Sequence, residues 1–346
     1  MRLISAVDSV SLAIQRTRDF LFRPFRWGTY LKLGLVAIIT EGIGSNSGSS
    51  KHGGPSPGHG PIINSPFDIP PVWIAAAVAA VLLAILLCLV IFYLVTRLRF
   101  AFFHCLVHNI KEIRPGWRLY REQAMRFFWL SVGVGFSYLL LLVLAALPFV
   151  AGFMRLVRET PPGGPPDWGL LLSLVLPLIP VLILLVLVGI ALDVILRDWM
   201  LPHYALEDAS AGEAWEEVWD HITAEKSQFA VYALLRLILP VIAMIGLFIV
   251  LLIPGLMVAG SVAAIVYAIH SAFADATGAS ALVGILLQVF FGVVAFCYAL
   301  LAGICLGGPL STGVREYALI FYGGRYQALG DLLYPSPPLP FVPGTY

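Results

Sequence analysis

The sequence predicts an all-α integral membrane protein: a six-helix transmembrane bundle built from repeated two-span hairpins, with interfacial amphipathic helices. Composition is the first observation, because the chain is 60% hydrophobic and 12% charged, whereas soluble domains carry about 25% charged residues. Arginine and lysine are also unevenly divided between the connections. Finally, five apolar stretches are long enough for the roughly 20 helical residues that cross a bilayer. They cover residues 72–95, 127–153, 169–196, 229–253 and 279–306.

The apolar stretches are predicted to be helices because lipid offers the backbone no hydrogen-bond partners. A soluble enzyme is excluded as a class by this composition. The sequence contains no phosphate-binding loop, nucleophile elbow or HExxH motif, and no basic module typical of nucleic-acid binding. We therefore expect no catalytic residues, no cofactor and no nucleic-acid partner.

Residues 1–28 are predicted to form an amphipathic helix that lies on the membrane surface. Charged residues avoid one helical stripe, and apolar residues recur along it at helical spacing. The stripe consists of Leu3, Val7, Val10, Ile14 and Leu21.

The first hairpin is predicted to occupy residues 29–98. Its first span, 30–43, is short and contains Lys32 and Glu41. A long basic stem such as that of Lys32 can reach the interface from such a position. The outer loop at 45–71 is rich in Gly, Ser and Pro, which predicts a flexible connection.

Two further hairpins are predicted, each preceded by a cytoplasmic segment. Residues 99–196 hold a basic segment and the second hairpin, and residues 197–307 hold an acidic amphipathic helix and the third. A capping box that starts at Ser210 predicts where the acidic helix begins. Residues 308–346 are predicted to be a cytoplasmic tail, which is rich in proline at 335–343.

The distribution of charge predicts a membrane protein with both termini in the cytoplasm. Segment 97–126 carries seven basic and two acidic residues, whereas connections 45–71 and 154–168 lack such an excess and are predicted to face outward. Segment 255–274 leaves alternatives open because Pro254 disfavours helix continuation. It is a helix extension, a segment at or re-entering the outer surface, or a seventh span that would place the C-terminus outside.

Similar residues close the second span of each hairpin, which predicts an internal repeat. Each time an arginine lies close to an aromatic residue, at Arg99, Arg197 and Arg315. Trp117 and Trp215 share the 98-residue offset of the first two arginines. The alternative is that membrane interfaces select Arg and Trp at helix ends without any duplication.

Ionisable residues inside spans are costly in lipid and are often functional. Arg236 lies well inside its predicted span, while Glu41 and Asp193 lie near the ends of theirs. We predict that these three residues bind a lipid or a solute, with Arg236 receiving an anionic group. The alternatives for Arg236 are an ion pair within the protein, snorkelling to the cytoplasmic surface and simple anchoring of the helix.

The sequence predicts no metal site, although four side chains have suitable chemistry. His104 and His108 share a helical face, and His203 and Glu207 occupy the equivalent place in the next repeat. If the two segments faced each other, these groups would suit a zinc ion. We favour interfacial histidines, with Glu207 capping a helix or pairing with an arginine.

Residues 201–219, LPHYALEDASAGEAWEEVW, resemble a pattern shared by a loose group of bacterial membrane families. The group includes the membrane domain attached to some glycerophosphoryl diester phosphodiesterases and related multi-spanning proteins. Its pattern is a proline closing a span, a glutamate five residues later and an alanine in a short amphipathic helix, here Pro202, Glu207 and Ala214. The resemblance implies a location in the bacterial inner membrane and structural roles for these residues, without the phosphodiesterase catalytic domain.

We therefore expect a non-enzymatic membrane protein that binds or organises lipid, or an accessory subunit of a membrane complex. Its partners would be membrane lipids and, for an accessory subunit, another membrane protein or complex. The repeats, the proline-interrupted spans and Arg236 favour a small-solute or lipid transporter as the alternative function. A membrane-embedded enzyme of lipid metabolism is the third.

Overall fold

The structure is a computed structural model that describes residues 4–45, 71–159, 168–273 and 278–334. This part of the chain is almost entirely helical and contains no strand, so the all-α class is confirmed. Most of the two predicted outer loops and all of the proline-rich segment 335–343 lie outside the described residues.

Eleven α-helices and one π-helical segment make up the described part of the chain. The π-helical segment, Ile195–Met200, joins α6 to α7 without a break. The α-helices are α1 (Asp8–Phe22), α2 (Trp27–Ser45), α3 (Pro71–Val107), α4 (Ile113–Leu119), α5 (Arg121–Glu159), α6 (Trp168–Val194), α7 (Leu201–Leu206), α8 (Ala211–Ala224), α9 (Lys226–Ala272), α10 (Ala279–Gly323) and α11 (Gln327–Leu333).

In the part of the chain that the structure describes, five helical stretches are long and apolar enough to cross a membrane. No residue in the most apolar part of any of them is buried against protein. Exposed aliphatic surface on this scale needs lipid as its solvent, as expected of a polytopic membrane protein. Helix α2 is not among the five, so the count of six spans stays a prediction. The stretches are Val72–Val107, Arg121–Met154, Leu171–Leu206, Lys226–Ala272 and Ser280–Gly323.

The buried core lies at one end of the bundle, where one end of each long helix packs with α1, α2 and the short helices. Aromatic side chains fill it: Tyr232 stacks on Tyr317 and Phe321, with ring centres 5.1 and 4.4 Å apart. Phe100 and Phe103 on α3 are also fully buried. We call this region the core end, and it positions the ionisable residues described below.

Two glycines allow α2 and α10 to approach each other closely. A Cβ atom added to Gly308 would lie 2.6 Å from the Cα atom of Gly34. One added to Gly34 would lie 3.2 Å from the carbonyl oxygen of Ile304. The Tyr30 hydroxyl also donates to the carbonyl of Cys305 across this helix pair. The helices therefore pack backbone to backbone, as small residues permit.

Helix α1 packs on α10 through a face that differs from the predicted apolar stripe. Val7 and Ile14 of the stripe are each 63% exposed, although Leu21 is buried. Small residues form much of the buried face because they let the two backbones approach. The interfacial location of residues 1–28 stays a prediction, and the exposed apolar side chains suit it. The buried residues of α1 are Ser9, Ala13, Thr17, Phe20 and Leu21.

The helices continue past the predicted hairpin boundaries at residues 98, 196 and 307. Helix α3 ends at Val107, and α10 ends at Gly323. Hydropathy falls near the membrane surface, but the backbone hydrogen bonds of these helices continue into the core end. A change in composition therefore does not mark a helix end here.

Helix α9 runs without a break through Pro254 to Ala272. Its 47 residues span about 70 Å at 1.5 Å per residue. Residues 255–272 therefore extend the preceding helix, which was one of the alternatives that the sequence left open, and they do not form a separate span.

Helix α8 begins where the capping box predicts. The Glu213 N–H donates to Ser210 Oγ at 3.4 Å, and the Ser210 N–H donates to the Glu213 carboxylate at 2.8 Å. These interactions hold the pKa of Glu213 below its usual range. Ala214 is buried, whereas Trp215 and Trp219 are exposed and stack on each other.

Candidate functional site

Charged residues from five helices and the π-helical segment meet at the core end, and we call them the buried charge cluster. Asp198 has no exposed surface, and the side chain of Arg197 is only 2% exposed. Burial of charge is costly unless each group is paired and hydrogen-bonded. The cluster consists of Glu41, Arg99, Asp193, Arg197, Asp198, Arg236 and Arg315.

Asp198 is the centre of the buried charge cluster. Its Oδ2 atom accepts from Arg236 Nε at 2.9 Å and from the Tyr232 hydroxyl at 2.8 Å. Its Oδ1 atom accepts from Arg315 Nη1 at 3.1 Å. One carboxylate thus holds α9 and α10 against the π-helical segment. The only sign of this role in the sequence is an arginine–aspartate pair near a span end.

Arg236 bridges two carboxylates of its own chain. Besides Asp198, its Nη2 atom lies 3.1 Å from Glu41 Oε2, and Arg197 Nη1 lies 3.4 Å from the same oxygen. This arrangement is the internal ion pair that the sequence left open as an alternative. The predicted role of Arg236 and Glu41 in binding a ligand stays a prediction.

The π-helical segment leaves one backbone acceptor for a side chain to satisfy. The Leu201 N–H donates to the carbonyl of Leu196, five residues earlier. In this pattern the carbonyl of Arg197 would need a donor at residue 202, but Pro202 has no N–H. Arg315 Nη1 donates to that carbonyl at 2.7 Å instead. The proline of the family-like pattern therefore creates the acceptor that anchors α10.

The three arginines near the ends of the second span of each predicted hairpin all belong to this cluster. Arg99 Nε donates to the carbonyl of Thr40 at 3.1 Å, and Arg197 Nη2 donates to the same oxygen at 2.7 Å. Arg315 contacts Arg197 and Asp198. Equivalent positions in duplicated hairpins would meet in this way, but the repeat itself stays a prediction.

A cavity of about 250 Å³ opens beside the cluster between α3, α5 and α6. Arg99, Asp193 and Arg197 supply its charged wall. On the opposite wall, Gly189 leaves room for Tyr138, whose hydroxyl donates to a carbonyl of α6 at 2.8 Å. The remaining lining residues are Phe92, Phe127, Ser131, Val134, Gly135, Leu192 and Leu196. The cavity is therefore charged at one side and mainly apolar elsewhere.

Arg99 is the least compensated cation of the cavity wall. Among the residues that the structure describes, no carboxylate oxygen lies within 4.0 Å of its guanidinium. Asp193 lies 3.4 Å from Arg197 instead. The predicted site residue Asp193 thus lines the cavity, whereas Arg99 and Arg197 were not predicted to be ligand-binding residues. Their position near a span end suggested anchoring and gave no reason to place them in a cavity.

A second group of ionisable residues lies where α7 meets α8. His203 Nδ1 is 3.2 Å from the carboxylate of Glu217 and 3.7 Å from that of Glu207. The other ring nitrogen, Nε2, is 2.6 Å from the Tyr322 hydroxyl on α10. Burial, followed by the nearby Glu207 carboxylate, raises the pKa of Glu217.

The structure brings together only two of the four side chains considered as zinc ligands. His203 and Glu207 adjoin, but His104 and His108 lie at the end of α3, where they pack on each other with ring centres 4.5 Å apart. Neither belongs to the His203 group. Glu217 completes that group instead, and no spacing in the sequence could show that α8 folds back onto α7.

Comparison with known proteins adds a family but no activity. A family model, described as a family of unknown function (DUF7544), matches residues 4–332. No curated protein and no solved structure matches the chain. The resemblance to the membrane domain of glycerophosphoryl diester phosphodiesterases therefore stays a prediction.

Proposed function

This chain belongs to the DUF7544 family, and we propose that it is a non-enzymatic inner-membrane protein that binds an anionic lipid. The observation that carries the proposal is Arg99, which lines a cavity among lipid-exposed spans and has no carboxylate within 4.0 Å in the described residues. Arginine suits the phosphate of a lipid head group because its planar fork donates two hydrogen bonds to phosphate oxygens. We therefore place the phosphate against Arg99.

The net charge around the cavity favours an anion. The buried charge cluster contains four guanidinium groups, which stay protonated in proteins. Even with Glu41, Asp193 and Asp198 all ionised, one positive charge is uncompensated. Charge interactions strengthen as the local dielectric constant falls, so this excess attracts an anion more strongly near lipid than in water.

The size of the cavity favours a head group over a whole amphiphile. Pockets that enclose drug-sized ligands measure about 300–1,000 Å³. The volume here is about 250 Å³, and several lining residues on α5 and α6 are partly exposed. A head group would enter the cavity while its acyl chains lie along the exposed apolar surface of these helices.

A transporter is the less supported alternative. Transport through this bundle would use Arg236 in a central polar pathway, but the cavity is lined by Arg99 and Arg197, while Arg236 joins Glu41 to Asp198. An accessory subunit remains compatible with lipid binding, because the exposed spans offer surface to a membrane-protein partner. No constellation suited to lipid chemistry adjoins the cavity in the described residues, so an enzyme is third.

Removal of the Arg99 charge is expected to weaken retention of anionic lipid. In nanodiscs that contain phosphatidylglycerol and phosphatidylcholine, we expect the wild-type protein to enrich phosphatidylglycerol, measured by native mass spectrometry. Arg99→Gln should lower that enrichment by about tenfold, which corresponds to about 1.4 kcal/mol.

Arg118→Gln is the matched control, because Arg118 is an exposed cation outside the cavity and the substitution removes the same charge. Inorganic phosphate is added in a separate arm, and displacement of the lipid at low millimolar concentration would assign the site to free phosphate. Equal enrichment by wild type and Arg99→Gln would refute the proposal.

The position of the chain ends supports six crossings with both termini in the cytoplasm. Arg16 on α1 donates to the carbonyl of Leu333, and Arg325 donates to the carbonyl of Ile4, so both ends of the described chain meet at the core end. Ends on one side require an even number of crossings. We therefore propose that α2 begins a sixth crossing. Basic residues of segment 97–126 also lie at this end, which favours the cytoplasmic side.

Reporter fusions are expected to show both termini in the cytoplasm. Green fluorescent protein should fluoresce at either terminus, and alkaline phosphatase should be inactive at both. A phosphatase inserted in the predicted outer loop 154–168 is the positive control and should be active. An active phosphatase at one terminus alone would show an odd number of crossings.

A further inference from the structure

Three possible metal ligands converge at the junction of α7 and α8. They are His203, Glu207 and Glu217, whose ligand atoms all lie within 4.8 Å of one another. His203 and Glu207 are one helical turn apart, and Glu217 approaches from the first half of α8. Within the described residues no other His, Cys, Asp or Glu side chains form such a group.

His203 presents an unsatisfied nitrogen to the two carboxylates. The side chain has no exposed surface, and its Nδ1 atom is buried without a hydrogen-bond partner. Its Nε2 atom lies 2.6 Å from the Tyr322 hydroxyl. If Nε2 carries the proton and donates it to that oxygen, the Nδ1 lone pair points toward Glu217. A metal-bound imidazole commonly donates its other N–H in this way.

The two carboxylates have no basic side chain to compensate them. Among the described residues, His203 is the sole ion-pair partner within 4.0 Å of Glu207 or of Glu217. A neutral imidazole leaves two neighbouring carboxylates, each less than half exposed, whose like charges repel each other. A divalent ion would balance both charges and would accept the Nδ1 lone pair.

From this geometry we propose that His203, Glu207 and Glu217 bind a divalent transition-metal ion, Zn²⁺ or Mn²⁺. Ligand bonds of about 2.0–2.1 Å in a tetrahedral zinc site place neighbouring ligand atoms about 3.3 Å apart. The distances from Nδ1 to the two carboxylates, 3.2 and 3.7 Å, are close to this value. One nitrogen and two carboxylate oxygens without a thiolate suit these ions.

In a tetrahedral zinc site, three protein ligands leave one coordination position for water or another ligand. The side chains of Glu207 and Glu217 are 45% and 43% exposed, so an ion can enter from outside. The bound ion would tie α7 to α8, and Tyr322 would connect it to α10. This site is separate from the Arg99 cavity and does not depend on lipid binding.

Metal content and affinity test the site directly. The full-length protein in detergent is stripped with EDTA, incubated with Zn²⁺ or Mn²⁺, washed and measured by elemental analysis and isothermal titration calorimetry. We expect one ion per wild-type chain. Glu217→Gln and Glu207→Gln should each weaken binding roughly 100-fold, and Tyr322→Phe about tenfold, because an outer partner of a ligand typically contributes 10–100-fold.

Glu216→Gln is the matched control, because Glu216 is an exposed glutamate of α8 outside the group and its substitution removes the same charge. The metal affinity of this variant should equal that of the wild type. Without metal, Glu217→Gln should melt no lower than wild type, because one of two facing carboxylates is neutralised. Zn²⁺ should then raise the melting temperature of wild type but not of the variant. Absence of binding by the wild type, or equal binding by Glu217→Gln, would overturn the proposal.

Discussion

Asp198→Asn is expected to abolish stable assembly of the bundle or to lower its melting temperature more than any other conservative substitution in the cluster. The carboxylate of Asp198 compensates Arg236 and Arg315 and accepts from Tyr232. Breaking a buried ion pair by removing one partner costs about 3–5 kcal/mol, because the remaining charge stays buried. Here Arg315 would lose its sole carboxylate partner among the described residues, and Arg236 would keep only Glu41. Thermal unfolding in detergent, followed by fluorescence-detected size exclusion, measures the effect.

Asp193→Asn provides the matched control for that experiment. Its side chain is 35% exposed and its ion-pair partner, Arg197, keeps Glu41 as a second carboxylate. We expect a much smaller change in melting temperature for this variant. The double variant Asp198→Asn with Arg236→Gln should recover part of the loss, since it also removes one of the two positive charges that Asp198 compensates. Equal melting temperatures for Asp198→Asn and Asp193→Asn would contradict the assigned role.

Gly308→Ala is expected to separate α2 from α10 and to destabilise the core end. The added Cβ atom would lie 2.6 Å from the Cα atom of Gly34, and backbone on the partner helix cannot give way as a flexible side chain can. Overpacking of this kind costs about 1–3 kcal/mol and sometimes more. The displacement would also move Thr40 and Glu41 away from their arginine partners. The melting temperature and the monodisperse fraction should both fall.

Gly303→Ala is the matched control, because it makes the same substitution on α10 at a position without a close contact to another helix. No atom lies within 4 Å of a Cβ added at this position. Alanine is a better helix former than glycine by about 1 kcal/mol, so this variant should be neutral or slightly stabilised. The changes in melting temperature caused by the two substitutions should therefore differ in sign. A fall of equal size for both would show that glycine flexibility, and not the contact with Gly34, matters in α10.

The membrane class could be predicted from composition because a span needs only enough consecutive apolar residues. Local signals also sufficed at Ser210, where the capping box and the start of α8 agree. The face that α1 buries could not be predicted in this way. A periodic stripe shows that a helix is amphipathic, but lipid and protein both accept apolar residues, and the fit of Ala13 and Thr17 against α10 decided the outcome.

The residues of the candidate sites also divide into those that the sequence identified and those that only the structure revealed. Arg236, Glu41 and Asp193 stood out because charge inside a span is rare, and all three belong to the buried charge cluster. Asp198 and Arg315 did not stand out, because a charge near a span end is equally consistent with the membrane surface. Their pairing arises from the π-helical segment, whose missing donor at Pro202 draws Arg315 to the carbonyl of Arg197.

The amino-acid sequence by itself determined that the apolar helical stretches need lipid around them, because they have too few polar groups to be stable in water. It also determined where charge would be costly and therefore where pairing was required. Only the tertiary structure decided the partners. Glu217 contacts His203, Arg99 lines a cavity and Gly34 packs against Gly308, because residues distant in sequence approach each other through helix packing. Hydropathy acts along the chain, whereas ion pairs and close contacts depend on distances of a few ångströms between helices.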